Sequence, residues 1–389
     1  MESQSVAAQS VSRGLDLSRL SFDAEAMLEG VRPWVECESP TYDLAAVNRA
    51  MDIVGRDFLM AGGRIERIPG CQGFADCMRI AFSHPDSTQP GVLILGHLDT
   101  VHPIGTVQRL LPWRREGQRC WGPGILDMKG GIFLCLEAIR QLRAASIQTH
   151  LPVTVLLTSD EEVGSPSTRD LIEAEASRHK YVLVPERARD DGGVVTARYA
   201  IARFHLRALG LSSHAGHSVW LTKGHSAIRE MIEKIQQIEG MTSEDCTFSV
   251  GVLHGGQFVN CVPPECTGEA LSMAKRQDDL DRAVSQMLAL SSPSFIVTRG
   301  VTRPVWERDA RGMALYETAR ALAESLRFEL PHQSSGGGSD GNFTGAMGIP
   351  TLDGLGAKGE GQHTLGEHIE VASLAERGRL MAGLLATLR

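Results

Sequence analysis

Apolar positions recur at helical spacing over Ala24–Val35 and again over Leu44–Met60, so the chain is expected to begin its folded part with two amphipathic helices. β-rich stretches follow at Arg64–Pro69 and Cys77–Phe82, read here as edge strands. A regular alternation comes next. The wholly apolar run Val92–Leu95 precedes a helix over Gly130–Ala144, whose inner face carries Ile132, Leu136 and Ile139. A second apolar run at Val153–Leu157, a helix near Ser167–Ser177 and a strand over Tyr181–Val184 ending at Glu186 complete it. Short apolar strands separated by helices predict an α/β unit, a mostly parallel sheet with helices on both faces.

The period changes after about Thr196. Ile201–Arg207 alternates as a half-exposed strand does, and a helix over Ser226–Ile238 follows it. Strands at Thr247–Val252 and Glu265–Met273, a helix at Leu280–Ala289 and a strand at Ser294–Val301 give the order β-α-β-β-α-β of a ferredoxin-like arrangement. A helix over Ala310–Ala323 then resumes the earlier pattern. The expected organisation is one α/β domain built from residues 1–195 and 304–389, interrupted by a smaller domain at 196–303. A length of 389 residues agrees with two domains. The first fifteen or so residues are expected to be disordered.

Composition narrows the function classes. Hydrophobic residues make up 42% and charged residues 22%, as in ordinary globular chains. A formal net charge of −8 and the lack of any basic stripe argue against nucleic acid or an anionic membrane as partner. No apolar run reaches the roughly 18 residues of a membrane span, and the N-terminus has no continuous apolar segment of the secretory kind. Eight cysteines without a Cys-x-x-Cys pair read as small buried hydrophobes in a reducing cytoplasm.

Candidate chemistry gathers at strand ends. Gly96–Thr100 follows the run at Val92–Leu95, and Ser159–Gly164 follows the run at Val153–Leu157, which places imidazole and carboxylates at the carboxyl edge of the sheet, where open α/β sheets bind ligands. His97, Asp127, Glu162, Glu186 and His363 supply two imidazoles and three carboxylates, a set suited to two divalent cations with one carboxylate bridging. Two such ions polarise a carbonyl and generate hydroxide between them. Asp127, within the glycine-rich Gly124–Gly131, is the expected bridge. Asp99 is expected to accept the other N–H of His97 and fix its tautomer. Glu161 and Glu162 are adjacent, so their side chains diverge, with Glu162 as ligand and Glu161 as the general base that hands a proton to the leaving nitrogen. Singly, each residue has a bland reading as a surface histidine, a solvated acidic loop or a helix cap; the reading rests on all of them arriving together. Glycine-dense Ser334–Asp340, including Gly337, is where backbone is expected to approach a ligand closely.

The segments GHLDTVHP, WGPGILDMKGG, SDEEVGSPSTRDLI, LSSHAG and GQHTLGEHI, with SPTYDLAAVN before them and Glu186 at its strand end, resemble the M20 metallopeptidases, the group of glutamate carboxypeptidase, aminoacylase and succinyl-diaminopimelate desuccinylase. The resemblance implies a zinc-binding catalytic domain and a lid domain that dimerises. It assigns His97, Asp127 and Glu186 to one ion and Asp127, Glu162 and His363 to the other, Glu161 as base and Asp99 as the carboxylate supporting His97. His214, in Ser213–Gly216, matches a lid histidine that reaches the substrate oxyanion, and Asn260 matches a lid residue that touches substrate. One departure stands out: the register of the family's carboxylate-clasping arginine falls on Met273, which cannot form the bidentate pair. Arg187, Arg189, Arg198 and Arg303 are candidates to replace it, while His217 and Trp220 either line an aromatic pocket or pack the lid.

The expected activity is hydrolysis of an amide C–N bond in a small acidic or aromatic substrate. The alternative keeps the same residues and displaces an amino group from an electron-poor aromatic acid, as in nitroanthranilate aminohydrolase, releasing ammonia. A non-catalytic member is disfavoured because every ligand and the base are present. The ligand types accept zinc, manganese or cobalt, with zinc first. Expected partners are a small-molecule substrate and a second copy of the chain, joined through the lid.

Overall fold

The computed structural model describes residues 17, 20–216 and 224–389. The expectations for the N-terminal tail and for His217 and Trp220 therefore lie outside the described residues. The chain forms two compact units: residues up to Ala197 with Arg308–Ser334 and Ser339–Arg389, and Arg198–Glu307 with Ser335–Gly338. The second unit extends past the expected boundary at 303 because Arg198 and Trp306 exchange backbone hydrogen bonds of 2.9 and 3.0 Å. It takes in Ser335–Gly338 because Arg198 Nη1 donates to the Gly337 carbonyl at 2.7 Å.

The first unit is built on a six-stranded sheet in the order Gly63–Ile68, Cys77–Phe82, Val153–Thr158, Gly91–His97, His179–Leu183, Thr351–Leu352. The last four run parallel to one another, and the first two join antiparallel. Cys77–Phe82 is thus not an edge strand: it is paired on both sides, with Gly63–Ile68 and Val153–Thr158. The sequence reads it as an edge because the strands that pair with it lie far along the chain.

Alternate residues of the central strand feed two separate cores, as the two-residue period of a strand requires. Val92 and Ile94 join one with Trp34, Phe58, Phe133 and Leu380, so the helices Ala24–Glu36, Leu44–Met60, Gly130–Ala144 and Val371–Thr387 cover that face. Leu93 and Leu95 join the other with Ile172, Ala176 and Phe343, from the helices Arg169–Ala176 and Gly341–Ala346. The sheet is mainly parallel and helices lie on both faces. Val371–Thr387 is buried around most of its circumference, from Leu374 and Arg377 to Leu384 and Leu385. A helix covered on all sides shows little amphipathic period, which is why the pattern of the sequence does not announce it.

The second unit has the order strand, helix, strand, strand, helix, strand. Its four strands lie as Cys246–Gly255, Glu265–Ala274, Ala200–Leu209, Phe295–Arg303, every neighbour antiparallel. Helices Ala227–Glu239 and Gln277–Ala289 pack on the face that presents Ala202, Phe204, Leu206, Ala270 and Val297. The other face carries Ile201, Arg203, His205, Arg207 and Met273. No helix among the described residues is long and apolar enough to cross a membrane.

Candidate metal centre

His97 ends the central strand, where the parallel register with Val153–Thr158 pairs it with Thr158. Glu161 and Glu162 follow from the end of that neighbouring strand, and Glu186 lies just past His179–Leu183 on the other side. Three parallel strands therefore deliver four of the expected residues to one crevice. Asp127 arrives from the turn Ile125–Lys129, which follows Gly124 at φ 71° and leads into the helix Gly130–Ala144. The Asp127–Met128 peptide is cis. His363, at φ 62° in the left-handed region that is uncommon for residues other than glycine, comes from the loop before His368–Glu370.

The ligand-type atoms form two groups that share Asp127. In one, His97 Nε2 stands 3.2 Å from Asp127 Oδ1 and 3.6 Å from Glu186 Oε1. In the other, His363 Nε2 stands 3.1 Å from Asp127 Oδ2 and 3.0 Å from Glu162 Oε2. Within each group all the atoms lie within 4.8 Å of one another. Each Asp127 oxygen faces one imidazole, so a single carboxylate spans both groups. Glu161 Oε2 belongs to neither and sits 3.8 Å from His97 Nε2.

His97 Nδ1 lies 2.9 Å from the Asp99 backbone carbonyl and 3.4 Å from the Asp99 carboxylate, so main chain and side chain both face that ring nitrogen. The Asp99 carboxylate also reaches the base-bearing turn. Its oxygens accept the backbone N–H groups of Glu161 at 3.2 Å and Glu162 at 3.3 Å, and the Thr41 hydroxyl at 2.8 Å. Thr41 belongs to the SPTYDLAAVN segment, to which the sequence had attached no role.

The carboxylates and imidazoles of the two groups shift one another's protonation. Burial pushes Glu162 up to about 7, and the Asp127 carboxylate adds to the shift. Glu186 is raised for the same two reasons. His363 is raised to about 11, chiefly by its hydrogen bond to Asp127 and then by that to Glu162. For His97, burial works against the charged ring, yet the surrounding carboxylates, led by Asp127, hold it well above the usual range. Asp127 would be raised by burial, but His363 and His97 hold it far below an ordinary carboxylate. Three acids and two bases that share protons in this way fit cations in their place.

Glycines set the approach distances. A Cβ on Gly131 would stand 1.9 Å from the Pro185 carbonyl oxygen, the peptide leading into Glu186. The second glycine of the DMKGG motif therefore lets the helix N-terminus pack against the Glu186 segment. Lys129 is wholly buried and donates to the Cys37 carbonyl at 3.0 Å; burial lowers it to about 8.

The chain matches the model of peptidase family M20/M25/M40 over residues 93–387. It belongs to that family. It is a metallohydrolase acting on carbon–nitrogen bonds. The M20 chain is 29% identical to carboxypeptidase G2 of Pseudomonas sp. (strain RS-16) over 310 residues, 76% of this chain and 74% of that protein. It is 26% identical to acetylornithine deacetylase of Myxococcus xanthus over 261 residues, 61% and 65% of the two chains. Human carnosine dipeptidase 1 shares the fold with a TM-score of 0.74 at 14% identity, covering 98% of this chain and 100% of that one.

His214, Asn260, Met273, Gly337, Arg198 and Arg303 lie in the second unit. His214 and Asn260 come together: His214 bridges to Cys261, and Ala215 N–H donates to the Asn260 carbonyl at 2.9 Å. Met273 lies opposite Ile201 on the neighbouring strand, and Ile201 lies opposite Arg303 on the next. Arg303 packs against Gly338, whose Cβ would meet its Cδ at 2.7 Å. Gly337 differs in character from a bare ligand cradle, since its carbonyl receives Arg198. Arg187 is paired with Asp190 at 2.9 Å. The sequence missed Glu367 and His102 altogether. Their signal was available, an acid four residues after His363 and a histidine three after Asp99, yet nothing local relates the two.

Proposed function

We propose that this chain hydrolyses the amide bond of a small N-acylated acidic or aromatic molecule, using two divalent cations held by His97, Asp127 and Glu186 and by Asp127, Glu162 and His363. The observation that carries the reading is the sharing of Asp127, one oxygen 3.2 Å from His97 and the other 3.1 Å from His363. Imidazole nitrogens with carboxylate oxygens suit zinc first, and manganese or cobalt after it. When bound, such cations supply Lewis-acid polarisation of the scissile carbonyl and lower the pKa of water.

Glu161 is the general base in this scheme. It stands beside both ligand groups without joining either, and the Asp99 carboxylate holds its backbone. It takes the proton of the attacking water and delivers it to the leaving nitrogen. His214 donates to the developing oxyanion, Asn260 orients the substrate, and Gly337 and Met273 line its far end. The second unit serves as a ferredoxin-like lid and joins two copies of the chain. Buried, inert thiols such as Cys135, raised by desolvation, support a cytoplasmic setting.

Met273 supports a second reading, the release of ammonia from an amino-substituted aromatic acid. Level with Ile201, it offers an apolar pair suited to a flat ring. One screen separates the readings: metal-loaded protein is presented with N-acyl amino acids, dipeptides and amino-substituted aromatic acids, with free amine and ammonia measured separately. Amine release supports the first, ammonia from a ring supports the second, and no release of either from metal-loaded protein defeats both.

A further inference from the structure

We infer that Glu367, together with His102, is a positioning residue that locks the segment bearing Asp127 to the loop bearing His363 and so sets the register in which a second cation is bound; this rests on the two-cation reading above. The Glu367 side chain is 1% exposed. One of its oxygens accepts the backbone N–H of Leu126 at 2.9 Å and of Asp127 at 3.1 Å. The other accepts the N–H of Gly124 at 3.0 Å and His102 Nε2–H at 2.7 Å. Four donors on one carboxylate satisfy a buried charge that would otherwise be costly.

The same residue closes the His363 loop. Thr364 N–H donates to the Gly361 carbonyl at 3.0 Å and Glu367 N–H to the Thr364 carbonyl at 3.3 Å, so residues 361–367 form a tight double turn. Directly after it, His368 pairs with Trp121, the residue that opens the glycine-rich approach to Asp127. Glu367 therefore lies where the two ligand-bearing segments meet. Asp127 and His363 are 3.1 Å apart at their tips and are tied at their bases by one side chain. His102, three residues beyond Asp99, brings the His97 segment into the same lock. The two Asp127 oxygens each face one imidazole, and rotation of the Asp127 peptide would turn both away from the residues that would hold the cations. Glu367 opposes that rotation through the Asp127 N–H itself.

Glu367→Gln keeps the shape and turns one acceptor oxygen into a donor, which faces N–H groups on either side. Chelator-stripped full-length protein is titrated with cobalt(II), followed by visible absorption, alongside melting temperature and steady-state kinetics. The expected result is a melting temperature lowered by only a few degrees when both are stripped, a second cobalt equivalent bound about 10- to 100-fold more weakly, an altered absorption band and a fall in kcat with KM little changed. Two equivalents bound with unaltered affinity and spectrum would overturn the inference while leaving the metal centre intact. Failure of the unaltered protein to bind cobalt would remove the metal-centre reading and this inference with it. His102→Phe removes one donor without burying a new charge, so it serves if the first variant does not fold. Its second equivalent should weaken at least about threefold, and an unaltered isotherm for this variant would also overturn the lock.

Discussion

At the residue scale, the proposed mechanism divides the work between Asp127, which holds charge, and Glu161, which moves protons. Glu161 is expected to lower kcat by about 100- to 10,000-fold when replaced by Ala, with both cations retained, since general base catalysis contributes on that order. Metal analysis of the purified variant beside its kinetics checks this, and unchanged turnover with bound metal would reject the assignment. Proton bookkeeping gives a second expectation. His363 and His97 are held above their ordinary range, His363 at about 11, so in the metal-free protein the His363 ring carries a proton at neutral pH. A cation needs the bare nitrogen, so uptake must release protons and affinity must rise with pH. Calorimetric titration in buffers of different ionisation enthalpy, at about pH 6 and about pH 8, measures the released protons; zero release would contradict the arrangement.

At the element scale, the helix Gly130–Ala144 and the Glu186 segment are in backbone contact through Gly131. Helix propensity alone favours Gly131→Ala by about 1 kcal/mol. The new Cβ, 1.9 Å from the Pro185 oxygen, forces a displacement that overpacking data price at about 1–3 kcal/mol, so the clash wins. Chemical denaturation should show net destabilisation. Turnover should fall by about tenfold to a hundredfold, because Glu186 is shifted with Pro185. A stabilised and fully active variant would mean that the strand end relaxes freely. Sequence periodicity had located this helix at its observed bounds, along with the strands that lead to His97 and Glu162. The pairing of Cys77–Phe82 on both sides and the helix Val371–Thr387 were not legible, since both depend on burial by distant segments.

At the scale of the whole molecule, the proposed pairing of two copies is assigned to the second unit. Cys246–Gly255 lies at the edge of its sheet, and Val252 and Leu253 are 39% and 46% exposed there. Apolar residues on an unpaired edge invite pairing, and lysine opposes it. The double variant Val252→Lys, Leu253→Lys is expected to shift the protein from dimer to monomer in light scattering. Its melting temperature should change little, as surface substitutions cost within about 0.5 kcal/mol. A protein that is already monomeric before substitution would remove the proposed interface.

What the order of residues determined by itself was the local content: the helical and strand periods, the apolar runs that end in His97 and in Glu161–Glu162, and the residue types able to hold cations. Those features depend on neighbours a few positions away, where chain geometry leaves little choice. Only the tertiary structure decided which Asp127 oxygen faces each imidazole, that the Asp99 carboxylate reaches the Glu161 backbone as well as the His97 ring, and that Glu367 joins segments about 240 residues apart. Such contacts arise when strand order and burial bring remote segments together, and a hydrogen bond between remote segments has no period to be read along the chain.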